Sequence, residues 1–218
     1  MGTYASSKQT QEILINATGE LVAALGFSNV STRAIADKAA QNIGSIHYHF
    51  KSKDNLFQAM IKSATQPVRQ KPMASIIKAH EEDLSSPGGQ SKILRRIIHS
   101  KIKEIFDPKR PWWHHKVIYQ VLRAEENLLK IMLAEVIKPE LTTLEKLFLS
   151  IDPNMDREDA FIQTILTMAP IIYYAENSEN ILRFMGRKTY ANEYLQKLED
   201  KIVRQNQLLL GLPPDIKE

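Results

Sequence analysis

The string Ile43-Gly44-Ser45-Ile46-His47-Tyr48-His49-Phe50-Lys51-Ser52-Lys53 gathers hydroxyl, phenol, imidazole and ammonium groups within a few turns of helix. Such groups contact base edges and phosphates well, because they donate and accept hydrogen bonds without needing a buried reaction centre. Read as a helix, the string buries Ile43, Ile46 and Phe50 at i, i+3 and i+7, which turns Gly44, Ser45, Tyr48 and His49 outward. Gly44 lets another backbone come close. Asn42 can cap this helix and Ser52 the next, while Lys53 adds a cation to the exposed amides of that second start, so that the two form a phosphate clamp. The residues suit the groove of a nucleic acid.

Other candidate chemistries fail on spacing. Glu125-Glu126 and Glu81-Glu82-Asp83 are adjacent carboxylates that diverge on a helix, and no phosphate-cradling glycine loop, paired-histidine zinc motif or nucleophile elbow is present, so no catalytic residue is expected. Trp112-Trp113-His114-His115 sets its imidazoles on different sides of a helix, and the chain has no cysteine, so neither a metal site nor a cofactor is expected.

The elements around the string are built to present it. Between Thr10 and Phe27 the apolar positions Ile13, Ala17, Leu21 and Ala24 recur at helical spacing, joined by Leu14 and Leu25, and Gly26 supplies the stop. Ser31 then caps a short helix whose Ile35, Ala36 and Ala39 face inward, and Ala40-Gln41-Asn42 turns the chain into the outward-polar helix. A supporting helix, a short helix, a tight turn and a second short helix make up a helix-turn-helix.

This segment resembles the DNA-binding domain of the TetR family of transcriptional regulators. The resemblance rests on Gly26-Phe27, Ser31-Thr32-Arg33 with Ile35-Ala36, Gly44-Ser45-Ile46, His49-Phe50, Ser52-Lys53 and Leu56. Two departures stand out: Ala40-Gln41 where the family usually has Gly-Val in the turn, and His47 where it usually has tyrosine. The resemblance implies that Thr32 and Arg33 meet the DNA backbone or an outer base, that Ser45, Tyr48 and His49 face the groove beside Gly44, and that Asn42, His47 and Lys53 contact phosphate. A weaker likeness, in the Asn42 to Phe50 string and in Val136-Ile137-Lys138-Pro139, points to members with a CerR-type C-terminal domain.

The rest of the chain reads as helices. Pro67 and Pro72 interrupt a long connecting helix, Ser85-Ser86-Pro87-Gly88-Gly89 reads as a loop, and helical patterns follow from about Ser91 to Phe106, Trp112 to Arg123, Asn127 to Leu149, Asp156 to Ala175 and Lys188 to Leu210. The expected architecture is all-α: residues 1–53 as the DNA-binding domain, residues 54–218 as a helical ligand-binding and dimerisation domain. The helix from Asp156 is apolar almost all round, which predicts burial on more than one side. By resemblance, the last two long helices dimerise through Ile165, Ile172, Tyr194, Leu198 and Ile202. The middle helices likewise line an effector pocket with Trp112, Trp113, Tyr119, Arg123, Met132, Phe161, Met168 and Tyr173.

A net charge of +4 favours a phosphate partner in sign, yet residues 1–53 set Lys8, Arg33, Lys38, Lys51 and Lys53 against Glu12, Glu20 and Asp37, so placement decides rather than quantity. No apolar run approaches the roughly 20 residues of a membrane span, and the N-terminus lacks a signal-peptide core, so a cytoplasmic location is expected. The expected function is a homodimeric repressor, released from a double-stranded DNA operator by a small-molecule effector. An adaptor that recruits a protein through its C-terminal bundle is the alternative, with an all-α enzyme a remote one.

Overall fold

A computed structural model describes residues 2–121 and 126–215, and every regular element among them is helical. The helices are α1 (Gly2–Leu25), α2 (Thr32–Lys38), α3 (Ile43–Phe50), α4 (Lys53–Gln70), α5 (Met73–Ala79), α6 (Pro87–Ile105), α7 (Trp113–Val121), α8 (Glu126–Met132), α9 (Lys138–Ile151), α10 (Arg157–Glu176), α11 (Ser178–Phe184) and α12 (Asn192–Leu209). They pack as two compact units, Met1–Arg69 with Pro108–Val136 and Gln70–Asp107 with Ile137–Glu218. Packing therefore groups α4, α7 and α8 with the N-terminal helices, a different division from one drawn after Lys53.

In the first unit α1 is the support, but its buried face is turned from the expected one. Leu14, Ala17, Thr18, Val22 and Ala23 are buried, whereas Ile13 and Leu25 are exposed. Thr18 and Gly19 explain the turn. Thr18 satisfies its own hydroxyl on the Leu14 carbonyl at 2.7 Å, and Gly19 leaves a bare patch on which the Trp113 ring of α7 lies; a Cβ there would fall 2.2 Å from Trp113 Cδ2. An apolar count weighs neither residue as inward. Gly26 ends α1 with φ +78°, as its position predicts.

The second unit buries Met73, Ile93, Leu94, Ile97, Ile98, Leu144, Leu147, Phe148, Ile171, Ile202 and Val203. Several expected boundaries shift. α6 begins at Pro87, not near Ser91, because Ser86 accepts a hydrogen bond from Gly89 N at 3.2 Å and Pro87 occupies the first helical turn, which outweighs two glycines. A π-helical turn over Leu133–Ile137 takes up the break expected near Pro139. α11 is an addition, and α12 starts at Asn192, later than Lys188.

The largest departure is α10. Its buried line is Ala160, Gln163, Thr164, Thr167, Ile171 and Ala175, while Phe161, Ile162, Ile165, Leu166 and Tyr173 are exposed. Polar groups go inside because they pair. Gln163 Nε2 donates to Asn206 Oδ1 at 2.7 Å and the Thr167 hydroxyl donates to the same oxygen at 2.6 Å, so α10 and α12 are bracketed by a satisfied amide-hydroxyl network.

The turn between α2 and α3 is made by Ala40 at φ +50°, a left-handed conformation that a Cβ penalises by about 1–2 kcal/mol. Ala40→Gly should relieve that strain against a smaller gain in unfolded-state entropy, giving a net stabilisation of about 0.5–1 kcal/mol. Urea unfolding would register it as a higher midpoint at unchanged slope; a lower midpoint would mean that the turn is unstrained.

Candidate nucleic-acid interface

Each helix of the reading head is started by its own cap. Ser31 Oγ accepts from Ala34 N at 3.1 Å, Asn42 Oδ1 from Gly44 N at 2.9 Å, and Ser52 Oγ from Asn55 N at 3.1 Å, as the three cap assignments expected. Ile46 is buried and Phe50 half-buried, but Ile43 stands 49% exposed. Helices that cross steeply touch only near the crossing, so a short helix anchors itself by its middle and leaves its first turn free.

The open face of α3 carries Gly44, His47 and Tyr48, the last 71% exposed, with Ser45 and His49 half-buried at its flank. Tyr48 and His49 meet edge to face at 4.9 Å between ring centres. A Cβ at Gly44 would meet only Asn42 Oδ1 at 3.5 Å, an ordinary contact, so the fold does not demand glycine there. From α2, Thr32 is half-buried and Arg33 exposed.

Two cations sit differently from the expectation. Lys53 is folded back on its own domain, with Nζ 3.3 Å from the Val30 carbonyl and 5.3 Å from the Phe57 ring centre. Lys51, which the residue pattern did not single out, ends α3 at φ +69° and is exposed, its Nζ 3.3 Å from the Tyr48 carbonyl. Its signal was available: a basic residue directly after the last turn of a surface helix lies beside whatever that helix touches. Lys38 is paired with Glu20 at 2.7 Å, whereas Arg33 on α2 and Lys51 at the end of α3 are exposed.

The expected pocket residues divide between the two units. Trp113 and Met132 are buried in the first unit, Trp112 is half-exposed and Tyr119 half-buried there, whereas Phe161, Met168 and Tyr173 belong to the second unit; Arg123 lies outside the described residues. Trp113 is a core residue, its indole N–H on Asn16 Oδ1 at 3.3 Å. Phe161 and Tyr173 are exposed on α10, and Met168 packs against the second unit's core. A cleft of about 760 Å³ in the first unit, walled by Leu25 to Ser28, the start of α4 and Gln120, takes no wall from Trp112, Trp113, Tyr119 or Met132.

The interface residues also divide. Ile165 is exposed and Ile172 half-buried, but Ile202 is 3% exposed and Leu198 packs against the same core, because α12 turns that stripe inward; Tyr194 stacks on Tyr190 at 5.5 Å. The open apolar surface is the Phe161, Ile162, Ile165 and Leu166 face of α10, with Leu208 and Leu209 exposed on α12.

His114 and His115 are more unusual than their spacing suggested. His114 is buried and His115 half-buried, and neither His114 Nδ1 nor His115 Nε2 has a hydrogen-bond partner. Burial, with the charge of Arg110 and other neighbouring cationic groups, pushes both imidazoles down to about 4. Among the described residues no cluster of histidine and carboxylate side chains could hold a metal ion, and no helix is long and apolar enough to cross a membrane.

With this geometry in place, residues 14–60 match the family described as bacterial regulatory proteins, tetR family. Over those residues the chain is similar to the TetR-type DNA-binding region. The HTH-type transcriptional regulator SrpR of Pseudomonas putida is 26% identical over 120 residues, 55% of this chain and 51% of SrpR. TtgW, also of Pseudomonas putida and described as an uncharacterized HTH-type transcriptional regulator, is 26% identical over 120 residues, 55% of this chain and 81% of TtgW. The match thus spans about half the length of SrpR. A solved transcriptional regulator from Rhodococcus sp. Rha1 shares the fold with a TM-score of 0.59 at 17% identity, covering 94% of this chain and 99% of that one. The TetR-type match ends early in α4, so the likeness is most specific where caps and turns set the reading head.

The two imidazoles carry a pH dependence. Above the ordinary histidine value of 6.5 both folded and unfolded chains hold them neutral; as pH falls from 6.5 towards 4 the unfolded chain takes up protons that the folded one refuses, and stability drops. For His114 the loss should be on the order of 3 kcal/mol across that window. Thermal melts between pH 7 and 4 should fall more steeply for the wild type than for His114→Gln with His115→Gln, and parallel curves would remove these two groups as the cause.

Proposed function

We propose that this chain is a homodimeric transcriptional repressor that reads operator DNA through α3 and is released by a small-molecule effector. The observation that carries the DNA half is the capped, singly anchored α3, whose Gly44, His47 and Tyr48 face lies open beside Arg33 and Lys51. Tyr48, His49 and Ser45 meet base edges, Gly44 gives the groove wall room, and Asn42, His47, Thr32 and Arg33 hold phosphate or an outer base. Lys51 joins the phosphate contacts. Lys53 serves mainly to tie α4 to the Val30 carbonyl and reaches DNA only by leaving that contact.

Dimerisation follows from the apolar face of α10. Phe161, Ile162, Ile165 and Leu166 form a contiguous patch too apolar to remain wet, and a second copy of the same face would cover it isologously. Two reading heads could then enter successive major grooves about 34–36 Å apart. Repression and effector release rest on the family likeness. Within the chain, what supports a polar ligand is the unpartnered His114 Nδ1 and His115 Nε2, which such a molecule would satisfy.

Electrophoretic shifts with genomic fragments test the DNA half. Binding should weaken steeply with salt, and Tyr48→Ala should cost about 1–3 kcal/mol at the specific site while leaving non-specific binding near the wild type. Gly44→Leu should fold normally and yet lose the operator. Salt-insensitive binding, or operator affinity untouched by both changes, would remove α3 from the interface.

For the dimer, Ile165→Glu combined with Leu166→Glu should yield folded monomers by light scattering and circular dichroism, because neither side chain is in the core. A wild type already monomeric at micromolar concentration would refute the two-head arrangement.

A further inference from the structure

A groove on the second unit has no part in the reading above. Ala74, Ile77, Lys78 and Glu81 present one wall at i, i+3, i+4 and i+7 from α5 and the turn after it; Thr143, Lys146, Leu147 and Ser150 present the other from α9 at the same spacing, and Leu84 adds to the lining. The hollow measures about 550 Å³, within the range of small-molecule sites. It exists because Ala74, Thr143 and Ser150 are small where the helices face each other. The two hydroxyls make no demand on an occupant, since Thr143 Oγ1 donates to the Pro139 carbonyl at 2.8 Å and Ser150 Oγ to the Leu147 carbonyl at 2.7 Å.

What remains is an apolar floor and a charged rim. Ile77, Leu84 and Leu147 supply the floor, continuous with the core of the second unit. Lys78 reaches the groove from one helix and Lys146 from the other; neither has an ion-pair partner among the described residues, and Glu81 is the acid among the lining residues. Two ammonium groups against one carboxylate leave a single positive charge above an apolar trough.

We propose that this groove binds an amphiphilic monoanion: a medium-length alkyl chain along Ile77, Leu84 and Leu147, with its carboxylate between Lys78 and Lys146. A monoanion neutralises the surplus charge, whereas a neutral lipid leaves both lysines unanswered and a cation meets repulsion. The site lies within one unit and needs neither DNA nor a second copy of the chain, so its test is independent of the repressor reading.

Isothermal titration of the full chain with sodium octanoate is the direct test, with 1-octanol and sodium acetate as matched controls. Octanoate should bind, acetate should not, and 1-octanol should bind about tenfold more weakly or worse. Lys78→Gln with Lys146→Gln should weaken octanoate to the level of 1-octanol, and Ala74→Phe should abolish binding by filling the trough. Should Ala74→Phe disturb folding, the lysine pair, on exposed positions, still decides the matter. The proposal is overturned if octanoate gives no heat at millimolar concentration, if 1-octanol binds as tightly, or if the lysine variant binds octanoate like the wild type.

Discussion

The contact of the Trp113 ring with the bare backbone at Gly19 holds the first unit together. α7 follows α1 only after a long stretch of chain, and it returns because an indole, 1% exposed, finds a flat patch on α1 that no side chain occupies. The ring brings Val117 and Val121 into the same core, all buried, and Asn16 satisfies its N–H so that no polar cost is left inside. With α1 fixed on that side, the small helices of the reading head can pack beside it, with Phe27, Val30 and Ile35 from the segments that follow α1 all buried. Those helices are too short to be stable alone, so their geometry is borrowed from α1 and secured by one cap apiece.

The second unit solves the opposite problem. A helix as apolar as α10 could bury its large side chains within the chain, yet the unit buries Gln163, Thr164 and Thr167 instead. Each of these polar groups finds a partner, and Asn206, itself buried, closes the bracket by donating to the Ile202 carbonyl at 2.9 Å. Satisfied polar groups cost little inside, and their directional bonds fix the register of α10 on α12 more sharply than interchangeable aliphatic contacts could. A second network fixes the tail. Arg95 joins Glu199, Asp200 and Asp215, and Ser91 Oγ donates to the Pro213 carbonyl at 2.6 Å, so Pro213 and Asp215 lie along α6.

The two units handle buried titratable groups differently. In the second, the buried Lys101 meets Glu140 at 2.6 Å, and Glu140 also accepts from Met73 N at 3.0 Å, so charge is matched where it is desolvated. In the first, His114 and His115 keep nitrogens without partners and stay neutral by giving up their protons. Buried polar atoms left unsatisfied are rare in stable cores, and here the cost is limited because both imidazoles stay neutral.

The sequence by itself determined the helical class, the three caps at Ser31, Asn42 and Ser52, the stop at Gly26 and the exposure of Gly44 and Tyr48 on α3, because these depend on neighbours within a few residues. It also carried the resemblance to the TetR-type DNA-binding region, which the match over residues 14–60 supports. Tertiary structure decided what local pattern cannot hold: which side of α1 is inside, once Trp113 chose Gly19; which side of α10 is outside, once Asn206 drew in Gln163 and Thr167; and that Ile202 serves the core instead of a surface. Hydrophobic periodicity counts apolar residues and is blind to a glycine that invites a ring or a glutamine that will find its amide. Burial is settled by partners distant in the chain, and only the packed molecule brings them together.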